Sequence, residues 1–333
     1  MKRKFHYIRA TVTMLDQLSK QLKLAQEQQQ AIVLVRVLAT EGSTYRKIGA
    51  RMLIDEQGQQ FDLISGGCLE THLGNHAMQV IQQGQPKLIE YDFGDPDSPA
   101  WLLGVGCRGR IKLLLEKLCL ENNYGSLAYY IKAKQATSPS WLITDLTTGQ
   151  SQLSKQAPET NNNDVTEYIR PAPRLLLIGA GPDTPPLFNL AQQLGFLVQI
   201  IDQRSQVLQR YNFTQNVSAL EVSSNNLDAF INQNPQDFVL VKTHNQQLDA
   251  DYLSQPSLAE LSYVGLLGPK DRAQRVVGKM LAPAPKNLVA PAGLDLGGDG
   301  AHAIALSIVA QIQAQHENMS AQSLAIKTQG IHD

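Results

Sequence analysis

The sequence has few cysteines, no excess charge of either sign and no long apolar run. Three cysteines in 333 residues argue against a disulfide framework and predict reduced thiols. The balance of 29 Lys and Arg against 30 Asp and Glu gives no reason to expect a nucleic-acid partner. No stretch approaches the length of a membrane span, and the first residues lack the apolar core of a signal peptide. We therefore expect a cytoplasmic protein without a membrane partner.

A polar, turn-rich stretch divides the chain into two predicted domains. It runs from Thr147 to Arg174 and contains an Asn triplet and prolines but almost no periodic apolar signal. We predict an N-terminal domain over 1–150, a linker over 151–173 and a C-terminal domain over 174–333. The first domain mixes helical and strand-like runs, whereas apolar strands and helices alternate in the second. This predicts an α/β protein, in which a mixed α/β domain precedes a Rossmann-like, doubly wound parallel sheet.

Two of the cysteines lie in glycine turns at the ends of strand-like runs. Cys68 follows two glycines in "ISGGCLE" and precedes a helical pattern, while Cys107 lies in "GVGCRG". A thiol at a helix start experiences the positive end of the dipole, which favours the thiolate needed for metal or sulfur chemistry. The alternative for Cys68 is a small residue packed behind a tight turn. Cys119, in an apolar run, is expected in the core.

The pair His72 and His76, one helical turn apart, raises the question of a zinc site near the first cysteine turn. The chain has no CxxC and no close Cys/His pair, so we interpret both residues as ordinary exposed helix residues.

The second half carries a partial dinucleotide motif. In "GAGPDT", Gly179 and Gly181 match the first two glycines of the motif, and Thr184 stands in place of the third. Asp202 follows Gly179 by 23 residues, where an acidic group can bind a ribose hydroxyl. The alternative is a structural turn between strand and helix. Even a nucleotide site would not establish hydride transfer.

Two further stretches of the second half suggest ligand contacts. Gly268 precedes Lys270 and two arginines at a predicted helix start in "YVGLLGPKDRAQR", which makes sense if an anion is brought there. A solvated basic turn is the alternative. His244 and Asp249 follow a predicted strand and are a candidate polar clamp for a ligand, although a single loop histidine is often only a surface residue.

The ordered blocks "TEGSTYRKIGARMLID", "ISGGCLE", "GVGCRG", "LLLIGAGPD", "YVGLLGPKDR" and "APAGLDLGGDGAHAIALSIVAQI" give the chain a family resemblance over nearly its whole length. It resembles the XdhC/CoxI family of xanthine dehydrogenase accessory proteins. The resemblance implies a small N-terminal domain holding the GGC turn and a C-terminal Rossmann-like domain. Pro182 departs from the histidine found there in many members, so no role of that histidine is expected here.

The resemblance also implies a function, which is to bind molybdopterin, support its sulfuration by a cysteine desulfurase partner and insert it into an apo-form molybdenum hydroxylase. Cys68 and Cys107 would be the thiols near the metal. A homodimer is the default expectation for such a protein. The candidate cofactor-binding residues are Arg46, Arg51, Gly66, Gly67, Cys68, Glu70, Gly106, Cys107, Gly179, Gly181, Asp202, His244, Gly268, Lys270 and Asp295.

Two other functions stay open at this point. An NAD(P)-dependent oxidoreductase would use Gly179, Gly181 and Asp202 to bind its nucleotide. A docking protein would use the Rossmann-like half only to present a surface to the dehydrogenase. The cysteine turns favour a maturation factor, which is not an enzyme in the usual sense.

Overall fold

A computed structural model describes residues 14–42, 44–65, 67, 69–94, 109–159, 161, 163–210 and 219–326. The chain divides into two compact units, one of residues Met14–Pro171 and one that begins at Ala172. Each helix within these ranges is too short or too polar to span a bilayer.

The first unit contains two antiparallel sheets and three helices among the described residues. The larger sheet has the order β3-β2-β1-β5-β4 and the smaller one the order β7-β6-β8. The elements are α1 (Met14–Gln28), β1 (Ile32–Glu41), β2 (Arg51–Asp55), β3 (Gln60–Phe61), α2 (Glu70–Gln83), β4 (Lys87–Asp92), β5 (Arg110–Leu118), α3 (Gly125–Gln135), β6 (Ser140–Asp145), β7 (Ser151–Ser154) and β8 (Asp164–Ile169).

The position of strand β1 between two cores explains why its sequence is apolar at consecutive positions. Val33 and Val35 face a core shared with Leu73 and Val80 of α2, whereas Leu34 lies in a second core on the opposite face with residues of α1 and α3. Successive side chains of a strand point to opposite faces, so a strand buried on both faces needs apolar side chains at every position. A strand with one solvated face needs them only at alternate positions. The larger sheet is therefore covered by helices on both sides, with α2 on one side and α1 and α3 on the other.

Part of the stretch with linker composition forms strands of the first unit. Strands β7 and β8 flank β6, and the smaller sheet is joined to the larger one by buried charges. Arg36 on β1 contacts Glu116 on β5 at 2.6 Å and Glu167 on β8 at 3.4 Å. Burial raises the pKa of Glu116 despite its arginine partner. The polar composition of β8 thus reflects half-exposed positions and an ion-pair network in this segment.

The second unit contains a six-stranded parallel sheet with the order β11-β10-β9-β12-β13-β14. Its elements are β9 (Arg174–Ile178), α4 (Thr184–Gln193), β10 (Leu197–Asp202), α5 (Ser205–Arg210), β11 (Ala219–Glu221), α6 (Leu227–Gln233), β12 (Phe238–Val241), α7 (Gln246–Leu253), β13 (Tyr263–Leu266), α8 (Lys270–Val277), β14 (Leu288–Val289) and α9 (Gly300–His316). Counted from β9, the strand order is 3-2-1-4-5-6, which is the Rossmann order.

Two cores, one on each face of this sheet, confirm the predicted doubly wound fold. Phe188 of α4 and Ile308 of α9 pack on one face, and Leu253 of α7 and Val276 of α8 pack on the other. The strand order reverses between β9 and β12, so the carboxyl ends of these two strands border a crevice of the kind that binds ligands in open α/β sheets.

Candidate functional site

The loop before α2 is organised by the carboxylate of Glu70. Its Oε1 accepts hydrogen bonds from the backbone N–H of Ile64 at 3.0 Å and of Ser65 at 2.9 Å. Its Oε2 accepts from the Ser65 hydroxyl at 2.6 Å and from the Gly67 N–H at 2.9 Å. The Ser65 hydroxyl in turn accepts from the Leu69 N–H at 2.7 Å. Glu70 therefore binds the backbone that precedes Cys68 in sequence.

The environment of Glu70 keeps it ionised. Burial by itself would raise its pKa, but the hydrogen bonds from the hydroxyl and backbone of Ser65 and from the backbone of Ile64 hold the pKa below its ordinary value. Both carboxylate oxygens are engaged by the loop, so the structure makes Glu70 a residue that positions the loop. Gly67 has a positive φ of 113°, a conformation that favours glycine. The predicted site residues Gly66, Cys68, Gly106 and Cys107 lie outside the described residues.

The two predicted arginines of the first unit have different environments. Arg46 makes a bidentate ion pair with Asp62, with both N–O distances at 3.1 Å, and is partly exposed close in sequence to the GGC loop. Arg51 is 1% exposed, pairs with Glu167 at 2.6 Å and stacks on the ring of Tyr130 at 3.5 Å. Arg51 thus stabilises the junction of the two sheets, while Arg46 keeps access to solvent.

The two histidines on α2 are more buried and make more contacts than expected for exposed residues. Both side chains are half-buried, with ring centroids 4.6 Å apart. His72 Nδ1 lies 2.7 Å from the Tyr91 hydroxyl, and His76 Nδ1 lies 2.8 Å from Lys87 Nζ. A lysine ammonium that donates to Nδ1 leaves the proton of neutral His76 on Nε2, where a metal would need a lone pair. No group of three or more potential ligands that could hold a metal ion occurs among the described residues.

Cys119 lies just beyond the end of β5 and is half-buried, which differs from the core position expected from its apolar neighbours. Its backbone N–H donates to the Asn122 side chain at 3.0 Å, and this bond begins a short helical turn that takes the chain out of the sheet. Burial and the neighbouring Glu121 raise the pKa of the thiol. This cysteine is therefore a poor thiolate at neutral pH.

In the second unit, the two predicted glycines allow the chain to turn tightly at the carboxyl end of β9. Gly179 has a φ of 113°, and a Cβ atom there would lie 2.6 Å from the Lys242 carbonyl oxygen. A Cβ at Gly181 would lie 2.8 Å from the Asp183 carboxylate. Backbone contacts therefore require glycine at position 179, and a Cβ at position 181 would displace the Asp183 side chain, so the glycine pair does not by itself indicate a nucleotide.

The turn after β9 does not suit a dinucleotide pyrophosphate. Pro185 and Pro186 in the first turn of α4 have no N–H, and the N–H of Thr184 donates to the Gly181 carbonyl at 3.0 Å. Asp183 adds a carboxylate where a pyrophosphate would need donors. The sequence left open a pyrophosphate site or a structural turn here, and the lack of donors favours the structural turn.

Asp202, the predicted ribose ligand, is fully buried and engaged within the protein. It accepts from the Ala180 N–H at 3.0 Å and forms a bidentate pair with Arg204, with Nε–Oδ1 at 2.8 Å and Nη2–Oδ2 at 2.7 Å. Burial would raise its pKa, but the hydrogen bonds from Arg204 and Ala180 hold it below the ordinary value. The carboxylate therefore positions Arg204 at the edge of the crevice.

A polar network connects the turn after β9 to the end of β12. Lys242, fully buried, donates to the Asp183 carboxylate at 2.9 Å and to the Thr184 hydroxyl at 2.6 Å. The second Asp183 oxygen lies 3.2 Å from His244 Nε2. Although burial opposes ionisation, the bonds from His244 and Lys242 lower the pKa of Asp183 to about 2. His244 has a positive φ of 61° and a side chain that is 51% exposed.

Two cavities adjoin His244, and both border this network. The Arg204 cavity, about 500 Å³ in volume, is lined by Gly181, Pro182, Arg204, Gln206, Val207, Thr243 and His244. The Gly298 cavity, about 460 Å³ in volume, has a mainly apolar wall and is lined by His244, Leu267, Gly268, Pro269, Arg272, Ala292, Gly297, Gly298, Ala303, Ile304, Ser307 and Ile308. The carboxyl ends of the strands thus form a two-part crevice around His244.

The remaining predicted residues of the second unit lie around the Gly298 cavity or at the surface. Gly268 lines that cavity, and a Cβ there would lie 2.8 Å from the Arg272 side chain. Lys270 is exposed at the start of α8, and Asp295 is exposed in the loop before α9. The predicted clamp of His244 with Asp249 is not formed, because buried Asp249 pairs with Arg272 and with Thr243.

Sequence reasoning did not find Asp183, Lys242 and Arg204. Asp183 and Arg204 could have been identified from the local sequence, since each stands one or two residues from a residue of the dinucleotide motif. Lys242 gave no such signal, because a lysine after an apolar strand is usually at the surface. Its role depends on an aspartate 59 residues away in sequence.

Comparisons with known proteins cover both units. The model of the XdhC Rossmann domain matches residues 175–312, and the model of the XdhC and CoxI family matches residues 25–92. A Bacillus subtilis protein named as a probable subunit of xanthine dehydrogenase is 30% identical over 86% of this chain and 93% of its own length. The Escherichia coli molybdenum cofactor insertion chaperone PaoD is 27% identical over 51% of this chain and 52% of its own.

A solved structure is similar over nearly the whole chain. The crystal structure of a Bacillus halodurans protein described as a xanthine dehydrogenase has a TM-score of 0.71 and 28% identity, and covers 93% of this chain and 98% of its own. The Bacillus subtilis relative and the Bacillus halodurans structure therefore match both units, and the chain belongs to the XdhC and CoxI family.

Proposed function

We propose that this protein is a maturation factor for a xanthine dehydrogenase-type enzyme and that it binds the molybdenum cofactor. Family membership supports this proposal, as do one relative named for xanthine dehydrogenase and another named as a molybdenum cofactor insertion chaperone. When bound, the cofactor would supply a molybdenum centre that can carry a terminal sulfur ligand.

The observation that carries the proposal is the arrangement of Glu70 around the GGC loop. A buried carboxylate with four hydrogen bonds fixes the chain within a few residues of Cys68. Such a network specifies one backbone conformation more tightly than apolar packing does. An inert, packed cysteine would not require it, whereas a thiol that must meet a metal-bound ligand requires a fixed backbone.

The roles of the remaining residues follow from their chemistry. Cys68 supplies a thiol to the metal end of the ligand, with Cys107 as its companion, and Arg46 provides a partly exposed cation in the same unit. In the second unit, the crevice around His244 has a mainly apolar wall and polar groups that suit an organic ligand. The partners that complete the function are a cysteine desulfurase for sulfuration and a molybdenum hydroxylase apo-enzyme. We also propose a homodimer.

The experiment that tests the function compares two cysteine substitutions. The full-length protein, Cys68→Ala and Cys119→Ala are each purified with co-expressed cofactor, then analysed for molybdenum and for the fluorescence of the oxidised pterin. Cys119 is the matched control, because its thiol is half-buried with a raised pKa. We expect Cys68→Ala to retain less than about a tenth of the bound cofactor and Cys119→Ala to retain nearly all of it. Equal retention in the two variants, or no cofactor in the unaltered protein, would contradict the proposal.

The geometry does not favour an oxidoreductase that binds NAD(P) in the usual way, through its pyrophosphate and a ribose hydroxyl. The turn after β9 lacks the donors that a pyrophosphate needs, and Asp202 is occupied by Arg204. The pair with Asp202 instead places the guanidinium of Arg204 at the wall of the Arg204 cavity.

A further inference from the structure

We propose that the Arg204 cavity binds a phosphate monoester, held by the guanidinium of Arg204 and the imidazole of His244. The cavity lies at the carboxyl ends of β9, β10 and β12, where the strand order reverses. This proposal deepens the proposed function and rests on it for one source of the phosphate, which is the terminal phosphate of molybdopterin. The other source with the same chemistry is the 2′-phosphate of NADPH.

The orientation of Arg204 is the first argument for this ligand. The pair with Asp202 uses Nε and Nη2, so the two N–H bonds of Nη1 and the second N–H of Nη2 lie outside that pair. These N–H bonds form the end of the guanidinium fork, which matches two oxygens of one phosphate. Asp202 is buried and the Arg204 side chain is 35% exposed, so the fork is fixed on one side and open on the other. Such preorganisation reduces the entropy lost on binding.

His244 provides a second polar group on the same cavity. Its Nε2 faces Asp183, and Nδ1 lies outside that contact. The positive φ of 61° is a conformation that non-glycine residues adopt at some energetic cost. Strain of this kind is found at binding and catalytic sites more often than elsewhere. Here it accompanies an exposed imidazole tethered at one nitrogen.

The charges of the cavity wall set the class of ligand. Buried Lys242 neutralises Asp183, and the cation that reaches the wall of the Arg204 cavity is the partly exposed guanidinium of Arg204. A single phosphate group that meets the end of the Arg204 fork suits this wall. A pyrophosphate, which needs a row of backbone N–H groups, meets the prolines of α4 instead. A volume of about 500 Å³ is ample for a phosphate and part of the group that carries it.

Binding measurements on the full-length protein test this site. The probes are the oxidised pterin of the cofactor with its phosphate intact, the same pterin after phosphatase treatment, and NADPH with NADH. The variants are Arg204→Gln and His244→Asn, with Arg275→Gln as the control, since this exposed arginine of α8 is outside the lining of both cavities. Arg204→Gln leaves buried Asp202 without its partner and so can perturb the fold. His244→Asn provides an independent test, because asparagine tolerates the positive φ at this position.

We expect the unaltered protein to bind the phosphorylated pterin roughly ten- to a hundredfold more tightly than the dephosphorylated one. Arg204→Gln and His244→Asn should each reduce this preference at least several-fold, and Arg275→Gln should keep it. A preference for NADPH over NADH that depends on Arg204, without binding of any pterin, would support the phosphate site and contradict the proposed function. Equal affinity for both pterins, together with equal affinity for NADPH and NADH, would overturn the phosphate site and leave the proposed function standing.

Discussion

Replacement of Glu70 by glutamine should open the GGC loop while leaving the rest of the first unit folded. The amide oxygen of glutamine can still accept from the N–H groups of Ile64 and Ser65. The amide nitrogen cannot accept from the Gly67 N–H or from the Ser65 hydroxyl, as Oε2 does. Two donors then face each other at Gly67, beside a side chain that is 5% exposed.

The size of the effect follows from the two lost hydrogen bonds. Each is a bond to a charged acceptor and contributes about 1.5 kcal/mol or more, so loop opening should become easier by about 3 kcal/mol. This corresponds to roughly a hundredfold faster hydrogen exchange of the Gly67 amide at pH 7. Because the folded-state pKa of Glu70 is lowered, its stabilisation is complete above the unfolded pKa, near 4.3, and is lost as pH falls through the folded value. The difference between the two proteins should therefore shrink in acid.

Hydrogen exchange followed by mass spectrometry or NMR measures this opening directly. The control is Glu90→Gln, which makes the same charge change at a half-exposed site on β4, paired with Arg110 at 3.5 Å. An exposed pair of this kind contributes less than about 1 kcal/mol, so the control should leave exchange of the loop nearly unchanged. Exchange of the Gly67 amide at the same rate in Glu70→Gln and Glu90→Gln would refute the role assigned to Glu70.

Three further outcomes are expected from the second unit. Gly179→Ala should lower the free energy of unfolding, measured by urea titration, by about 3 kcal/mol or more, because its Cβ meets a backbone oxygen. Gly195→Ala is the control and should lower it by about 1 kcal/mol, because Gly195 has a positive φ but open space around it. Lys242→Met should raise the pKa of Asp183 above its value of about 2, as measured by NMR titration of the carboxyl group. Since that pKa is depressed, stability should fall as pH drops from about 4 towards 2, and Asp183→Asn should flatten this part of the stability profile. An unchanged profile would show that the Asp183 pair contributes nothing.

The order of helices and strands was largely predictable because it follows from local patterns. The apolar runs of β5, β9, β12 and β13, and the helical stripe of α9, each give a periodic signal within about ten residues. The alternation of strands and helices in the second half then predicts a parallel sheet, since a helix that connects two strands of one sheet nearly always makes a right-handed crossover between parallel strands. Strands β7 and β8 could not be predicted in the same way, because their burial comes from partners on other strands.

The sequence by itself determined the alternation of strands and helices in the second unit, the two glycine-cysteine motifs and the family resemblance, because each is encoded by residues near one another in the chain. Only the tertiary structure decided which charges meet. Glu70 binds its own loop, Asp202 holds Arg204, and Lys242 neutralises an aspartate 59 residues away. The electrostatic state of a side chain depends on burial and on neighbours within a few ångströms, and folding brings these from distant parts of the sequence.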